Sequence, residues 1–217
     1  MTVKLPVLII IPHGGKEVPD ELTGNEILSP EDIFFESDAG ANRIFYSPMT
    51  VAEPVSTVIS KLFVDPDREF TALSPVTVDG VIKTRTSMNR EVFRQKCYPD
   101  EIAISNILER YYFPFHESIR GAIRSGGIRL ILECHTHAAV GPVNAPDAGR
   151  PRPLVITKYT ADSDSGVKKT AAPDLAMELA SITGRMIQRE GETVSEKYSV
   201  AIHDTRGCLM HRYAAAA

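Results

Sequence analysis

The stretch LILECHTHA, residues 130–138, opens as an apolar strand and closes on Glu133, Cys134, His135, Thr136 and His137, a polar cluster that no hydrophobic core selects. A second histidine, His13, ends another apolar run, KLPVLIIIPHGG. Two neutral imidazoles and a carboxylate form the donor set that holds a catalytic zinc ion with one position left open, where the pKa of water falls to roughly 7. The competing reading is structural, because a single histidine beside a glycine turn is most often exposed or satisfied by its neighbours.

Residues two apart in a strand share a face, so Glu133, His135 and His137 point one way if the strand runs that far. Glu133 is then either an ion-pair partner at the sheet end or a carboxylate that orients an imidazole or carries a proton. His137 is a metal ligand, a transition-state donor or a loop residue, and Cys134 on the opposite face packs in the core. In VDPDREF, Arg68 stands beside two aspartates, as a surface ion-pair turn or as a bidentate clamp on a carboxylate. Arg85 and Arg90, in KTRTSMNREVF, meet a second carboxylate or lie on the surface, at least one of them on the surface. The Gly14-Gly15 pair could form an anion nest, but it lacks the motif context of a nucleotide site, and a phosphate-binding module ranks last.

These side chains need a scaffold, and the chain supplies an α/β rhythm. The β-branched run before Pro12 reads as a central, fully covered strand, with His13 just past its end. Ser-Pro-Glu-Asp at residues 29–32 marks a helix start, and Asp38, in the acidic pair with Glu36 ahead of AGANRIF, is placed near a helix start. VSTVISKLFV reads as strand up to Val64 and breaks at Pro66; residues 73–96 read as a hairpin or loop excursion. Pro99-Asp100 opens a long helical pattern through Arg124, which Pro114 should kink or split, and Gly126-Gly127 ends it ahead of the strand that carries His135. A Pro/Gly-rich loop at 139–152, a strand in PLVITK, an amphipathic helix from Pro173 to Arg189 and a strand in KYSVAIH follow. In open α/β sheets the binding crevice lies beyond the carboxyl ends of the strands, where His13 and His135 both stand.

Composition narrows the partners. With 24 Lys plus Arg against 28 Asp plus Glu, the net charge is −4, and no block of like charge points to nucleic acid or a membrane surface. The apolar run at residues 7–11 is too short for a signal-peptide core or a membrane span. Cys97, Cys134 and Cys208 are widely spaced and odd in number, as free thiols in a reducing compartment would be, so a cytoplasmic protein is expected. The closing Ala214 to Ala217 is an odd ending, native or placeholder.

Taken in order, IIIPHGG, ESDAG, KLFVDPDRE, YYFPFHESI and LILECHTH resemble the N-formylglutamate amidohydrolase family, whose members show a Pro-His-Ser/Ala-Gly loop, a downstream Asp, an Asp-Leu-Asn-Arg turn, a Pro-Tyr-His helix and an Asp-x-His-Ser strand end. The resemblance implies a three-layer fold with a central mixed, largely parallel sheet, similar to the zinc exopeptidases, in a single domain over residues 1–217. It implies Zn²⁺ on His13, Asp38 and His135, with Glu17 as the reserve carboxylate, and Arg68 as the group that recognises a substrate carboxylate. His116 matches the Pro-Tyr-His histidine. The expected reaction is hydrolysis of a small-molecule N-acyl amino acid such as N-formylglutamate, with Glu133 and His135 in catalytic roles and Arg85, Arg90 and His137 near the substrate.

Two departures bear on that expectation. Asp-Leu-Asn-Arg has become Asp65-Pro66-Asp67-Arg68, which puts an acid where a neutral donor stood and would repel a carboxylate. Family members also continue past the segment resembling DTRGCLMHRY into a strand bearing Gln and Glu; if that Glu is the general base, it lies beyond Ala217. The alternatives are therefore a related zinc amidase or peptidase with another acyl or peptide substrate, and a metal-free binding protein on the same scaffold.

Overall fold

A computed structural model describes residues 4–159, 170–189, 200–204 and 213, with the backbone alone for 187–189 and 200–204. The chain divides into two compact units, Met1–His137 and Ala138–Ala216.

In the first unit, β1 (Val7–Ile11) lies between β2 (Val55–Ser56) and β3 (Leu130–Glu133), both parallel to it. Leu8 to Ile11 are all buried, as expected of a central parallel strand covered on both faces. The register pairs Ile9 with Leu132 and Ile10 with Glu133. Cys134 N donates to Ile10 O at 2.8 Å, which carries the pairing one residue further. His13 and His135 thus leave the same edge of the sheet, the carboxyl edge.

The strand expected up to Val64 stops at Ser56. From Ile59 the chain coils instead, with the N–H groups of Phe63 and Val64 both turned onto Ser60 O at 2.9 and 3.1 Å. Ile59, Leu62, Phe63 and Val64 are all buried in the main core with Ile82, Val92, Ile107 and Tyr112. Ser60 and Lys61 interrupt the apolar residues of this short run without alternating with them, so its pattern does not distinguish strand from coil.

Helix α1 (Pro30–Glu36) starts on a capping box, Ser29 and Asp32 each accepting the other's backbone N–H, with Pro30 at the first helical position. A short α2 (Ala41–Ile44) follows Gly40, whose φ of 79° a residue with a Cβ seldom adopts. Asp100 caps α3 (Glu101–Ile107), accepting from Ala103 N at 2.9 Å. The helical run is continuous but interrupted: a π-helical turn at Leu108–Tyr112 stands between α3 and α4 (Phe113–Arg124), with Pro114 in the first turn of α4. Proline has no N–H for the carbonyl one turn back, and the wider turn ahead of it accommodates that loss.

Residues 73–96 form the expected loop excursion. It is docked by Asp65 N onto Val81 O and Lys83 N onto Leu62 O, at 2.8 and 2.9 Å. In the second unit, β4 (Val155–Tyr159) pairs in parallel with β5 (Val200–Asp204), beside α5 (Pro173–Arg189). The first residues of the KYSVAIH strand, Cys208, most of the DTRGCLMHRY segment and the terminal alanines lie outside the described residues. Among the described residues the named strands pair only in parallel, and no helix is long and apolar enough to cross a membrane.

Candidate metal centre

Three chain segments meet at the carboxyl edge of the first unit's sheet. His13 follows β1, Asp38 follows the C-cap of α1, and His135 follows β3. Asp38 N donates to His13 O at 2.9 Å, and Ala41 N donates back to Asp38 O at 3.0 Å, so Asp38 sits at the start of α2. Thr136 Oγ1 donates to Ala39 O at 3.2 Å and ties the third segment to the second. Gly15 permits the close approach on the other side, because a Cβ there would lie 2.3 Å from Ile59 O.

His13, Asp38 and His135 each offer a ligand atom, and these atoms lie within 4.8 Å of one another. The orientation of the rings decides which nitrogens face inward. His13 Nε2 donates to Asp65 Oδ1 at 2.8 Å, which leaves Nδ1 facing Asp38 Oδ2 at 3.8 Å, beyond hydrogen-bond range. His135 Nε2 donates to Glu133 Oε1 at 2.8 Å, and its Nδ1 meets the same Asp38 Oδ2 at 2.8 Å. Each imidazole therefore has its outer nitrogen held by a carboxylate and its inner nitrogen turned toward one shared oxygen, the arrangement in which histidines ligate metals. Two imidazoles and a carboxylate this close fit a small divalent cation.

The electrostatics agree. Burial pushes the Asp38 carboxyl up, but the hydrogen bond from His135 and the charges of Lys61, His13 and His135 outweigh it and hold the group below the usual carboxylate range. Asp65 is lowered strongly for similar reasons: burial opposes ionisation, and His13 and Lys83 overcome it. Burial alone would lower His135, yet its hydrogen bonds to Asp38 and Glu133 and their charges raise it to about 10. Without a metal, His135 is an imidazolium between two acids, and a cation held at Nδ1 would have to displace its proton.

Glu133 and His135 do point to one side, although β3 ends at Glu133. Glu133 Oε2 is buried without a hydrogen-bond partner. His137 is exposed and outside the cluster, as is Glu17, whose backbone bridges to Ile59. Cys134 packs against Ile9, Ile11 and Ala41, and burial, then the charge of Glu133, pushes its thiol up to about 12. His116 is buried in α4 with its ring 4.4 Å from that of Tyr112. Arg85 pairs with Glu91 and Arg90 with Asp32, both on the surface. Arg68 is engaged by Asp79 at 2.7 Å, with Asp65 at 3.8 Å. Glu36, two residues before Asp38, is not a ligand: its carboxylate accepts from the backbone and hydroxyl of Ser87.

Three residues of this site escape a reading by motif. Asp65 looks like half of a surface ion pair but is 1 % exposed and holds His13. Lys61 places Nζ 3.3 Å from Asp38 Oδ1, and Lys83 places its own 2.9 Å from Asp65 Oδ2. The one signal in the sequence is that Asp65 ends a buried apolar run, the same position that marks His13 and His135.

This is an α/β protein with its candidate site beyond the carboxyl ends of parallel strands. The chain belongs to the N-formylglutamate amidohydrolase family, whose model matches residues 5–205. It is accordingly a hydrolase of the class that acts on C–N bonds other than peptide bonds. Its fold is similar to that of N-formylglutamate amidohydrolase from Ralstonia eutropha JMP134, with a TM-score of 0.67 and 19 % identity over 96 % of this chain and 76 % of that one. A gene product of Agrobacterium tumefaciens is also similar, with a TM-score of 0.57 and 17 % identity over 97 % and 73 % of the two chains. No protein of curated function matches the chain.

Proposed function

We propose that this chain is a zinc-dependent amidohydrolase that cleaves the amide of a small N-acyl amino acid such as N-formylglutamate, releasing the acid and the free amino acid. The observation that carries the reading is the pair of imidazoles whose inner nitrogens face Asp38 Oδ2 while carboxylates hold their outer ones. The parallel sheet and the family support a three-layer, zinc exopeptidase-like architecture, in one domain since the matched residues run through both units. A cytoplasmic setting suits its unpaired thiols, Cys97 and Cys134.

His13, Asp38 and His135 would hold the ion, which when bound supplies Lewis acidity toward a carbonyl oxygen and acidifies water. The rest of the work falls to the chain. Asp65 and Glu133 fix the tautomers and ring orientations of the two histidines. Lys61 restrains the outer oxygen of Asp38, so that Oδ2 stays turned to the rings. Glu133 Oε2, buried and unpartnered, is the atom that would take a proton from water and return it to the leaving nitrogen. Arg68 would orient a carboxylate of the substrate.

The test is formate release from N-formyl-L-glutamate by zinc-loaded protein. Release that a chelator abolishes, zinc restores and His13→Ala lacks is the expected result; no release from any N-formyl or N-acetyl amino acid would refute the reading.

A further inference from the structure

We infer that Asp79 is a built-in competitor for substrate carboxylates at Arg68 and Lys83, and that it weakens the hold of the site on carboxylate-bearing substrates. The inference rests on the hydrolase reading only for which compounds are turned over. Asp79 spans the two cations, Oδ2 accepting from Arg68 Nη2 at 2.7 Å and Oδ1 from Lys83 Nζ. A carboxylate held at both oxygens by two cations is the arrangement in which a ligand's carboxylate would be seated. Arg68 still has capacity to give, since its Nε is buried without a hydrogen-bond partner and stands 3.8 Å from Asp65 Oδ2, too far for a bond.

The backbones that carry the two cations are anchored, and the acid is the exposed member. Arg68 is anchored by its N–H to Asp65 O and by Tyr112 Oη onto its carbonyl at 2.8 Å, and Lys83 by its N–H to Leu62 O. The Asp79 side chain is 64 % exposed, and an ion pair so open to water adds little to stability and yields readily to another anion. Asp65 connects this pair of cations to the metal centre, one oxygen on His13 and the other on Lys83. A carboxylate that replaced Asp79 would therefore sit one side chain, Asp65, away from His13.

Glutarate is the probe, titrated calorimetrically into the whole protein. Asp79→Asn removes the charge and keeps the size, and being exposed it leaves the core intact. It should bind glutarate about tenfold more tightly than the unaltered protein, while Asp79→Glu stays near the unaltered value. Adding Arg68→Met to Asp79→Asn should cancel the gain. An affinity unmoved by Asp79→Asn, or a gain that survives Arg68→Met, would overturn the inference. In turnover, the kcat/KM ratio of N-formyl-L-methionine to its neutral amide, N-formyl-L-methioninamide, should rise about tenfold in Asp79→Asn. Absence of formate from every compound would sink the hydrolase reading and leave the glutarate titration to decide this one.

Discussion

At Asp65 a single carboxylate serves His13 through Oδ1 and Lys83 through Oδ2, with Arg68 behind, in a setting where water reaches only 1 % of the residue. Removing one partner of a buried pair leaves the other charge uncompensated, so Asp65→Ala should cost about 3–5 kcal/mol, read from denaturant unfolding of the metal-free protein. The same carboxyl titrates below its unfolded value, so the stability it adds is present above about pH 4 and is lost as pH falls through its folded pKa. Asp65→Asn should flatten the acid side of a Tm-against-pH curve. His135 runs the other way: raised to about 10, it stabilises the metal-free protein fully below about pH 6.5, and that contribution is lost as pH rises through its folded value. Loading with metal, which takes the proton from Nδ1, should remove that alkaline loss. Glu133→Ala leaves His135 Nε2 without its carboxylate and should weaken metal binding by about 10–100-fold in a competition titration. His13 and His135 are legible in the sequence because each ends an apolar strand. Lys61 and Lys83 are not, because Asp38 and Asp65 lie far from them along the chain, and Asp65 shows only its place at the end of an apolar run, with nothing local to pair it with His13.

Elements place these residues, and one tight constraint is where the loop after β1 crosses the segment after β2. A Cβ at Gly15 would meet Ile59 O at 2.3 Å and Val58 C at 2.4 Å, both backbone atoms that cannot swing aside. Gly15→Ala should therefore cost about 1–3 kcal/mol and displace His13, weakening metal binding along with stability. Ser29→Ala is the contrasting case: losing half of the capping box of α1 should cost about 1 kcal/mol in thermal unfolding and leave metal stoichiometry unchanged. β1, β3, α1, α5 and the glycine stop after α4 are readable from periodicity and caps. The coil at Ile59 to Val64 is not, since Ser60 and Lys61 break the apolar run without giving it a period, and the π turn before Pro114 answers a proline whose position alone predicts a break.

Over the whole molecule, the order of short motifs carried more information than any one of them, and the match over residues 5–205 confirms the family they resemble. The same order does not reveal the acids around Arg68, because Asp79 comes from a loop eleven residues on. The assignment of catalytic roles depends on one claim, that His13, Asp38 and His135 hold a divalent ion. Its most direct test is elemental analysis of the purified, unsupplemented protein beside His13→Ala and His135→Ala. About one zinc per chain, lost from both variants while they stay folded, is the result this account predicts. No metal in the unaltered protein even after titration with zinc, or full occupancy retained in both variants, would contradict it.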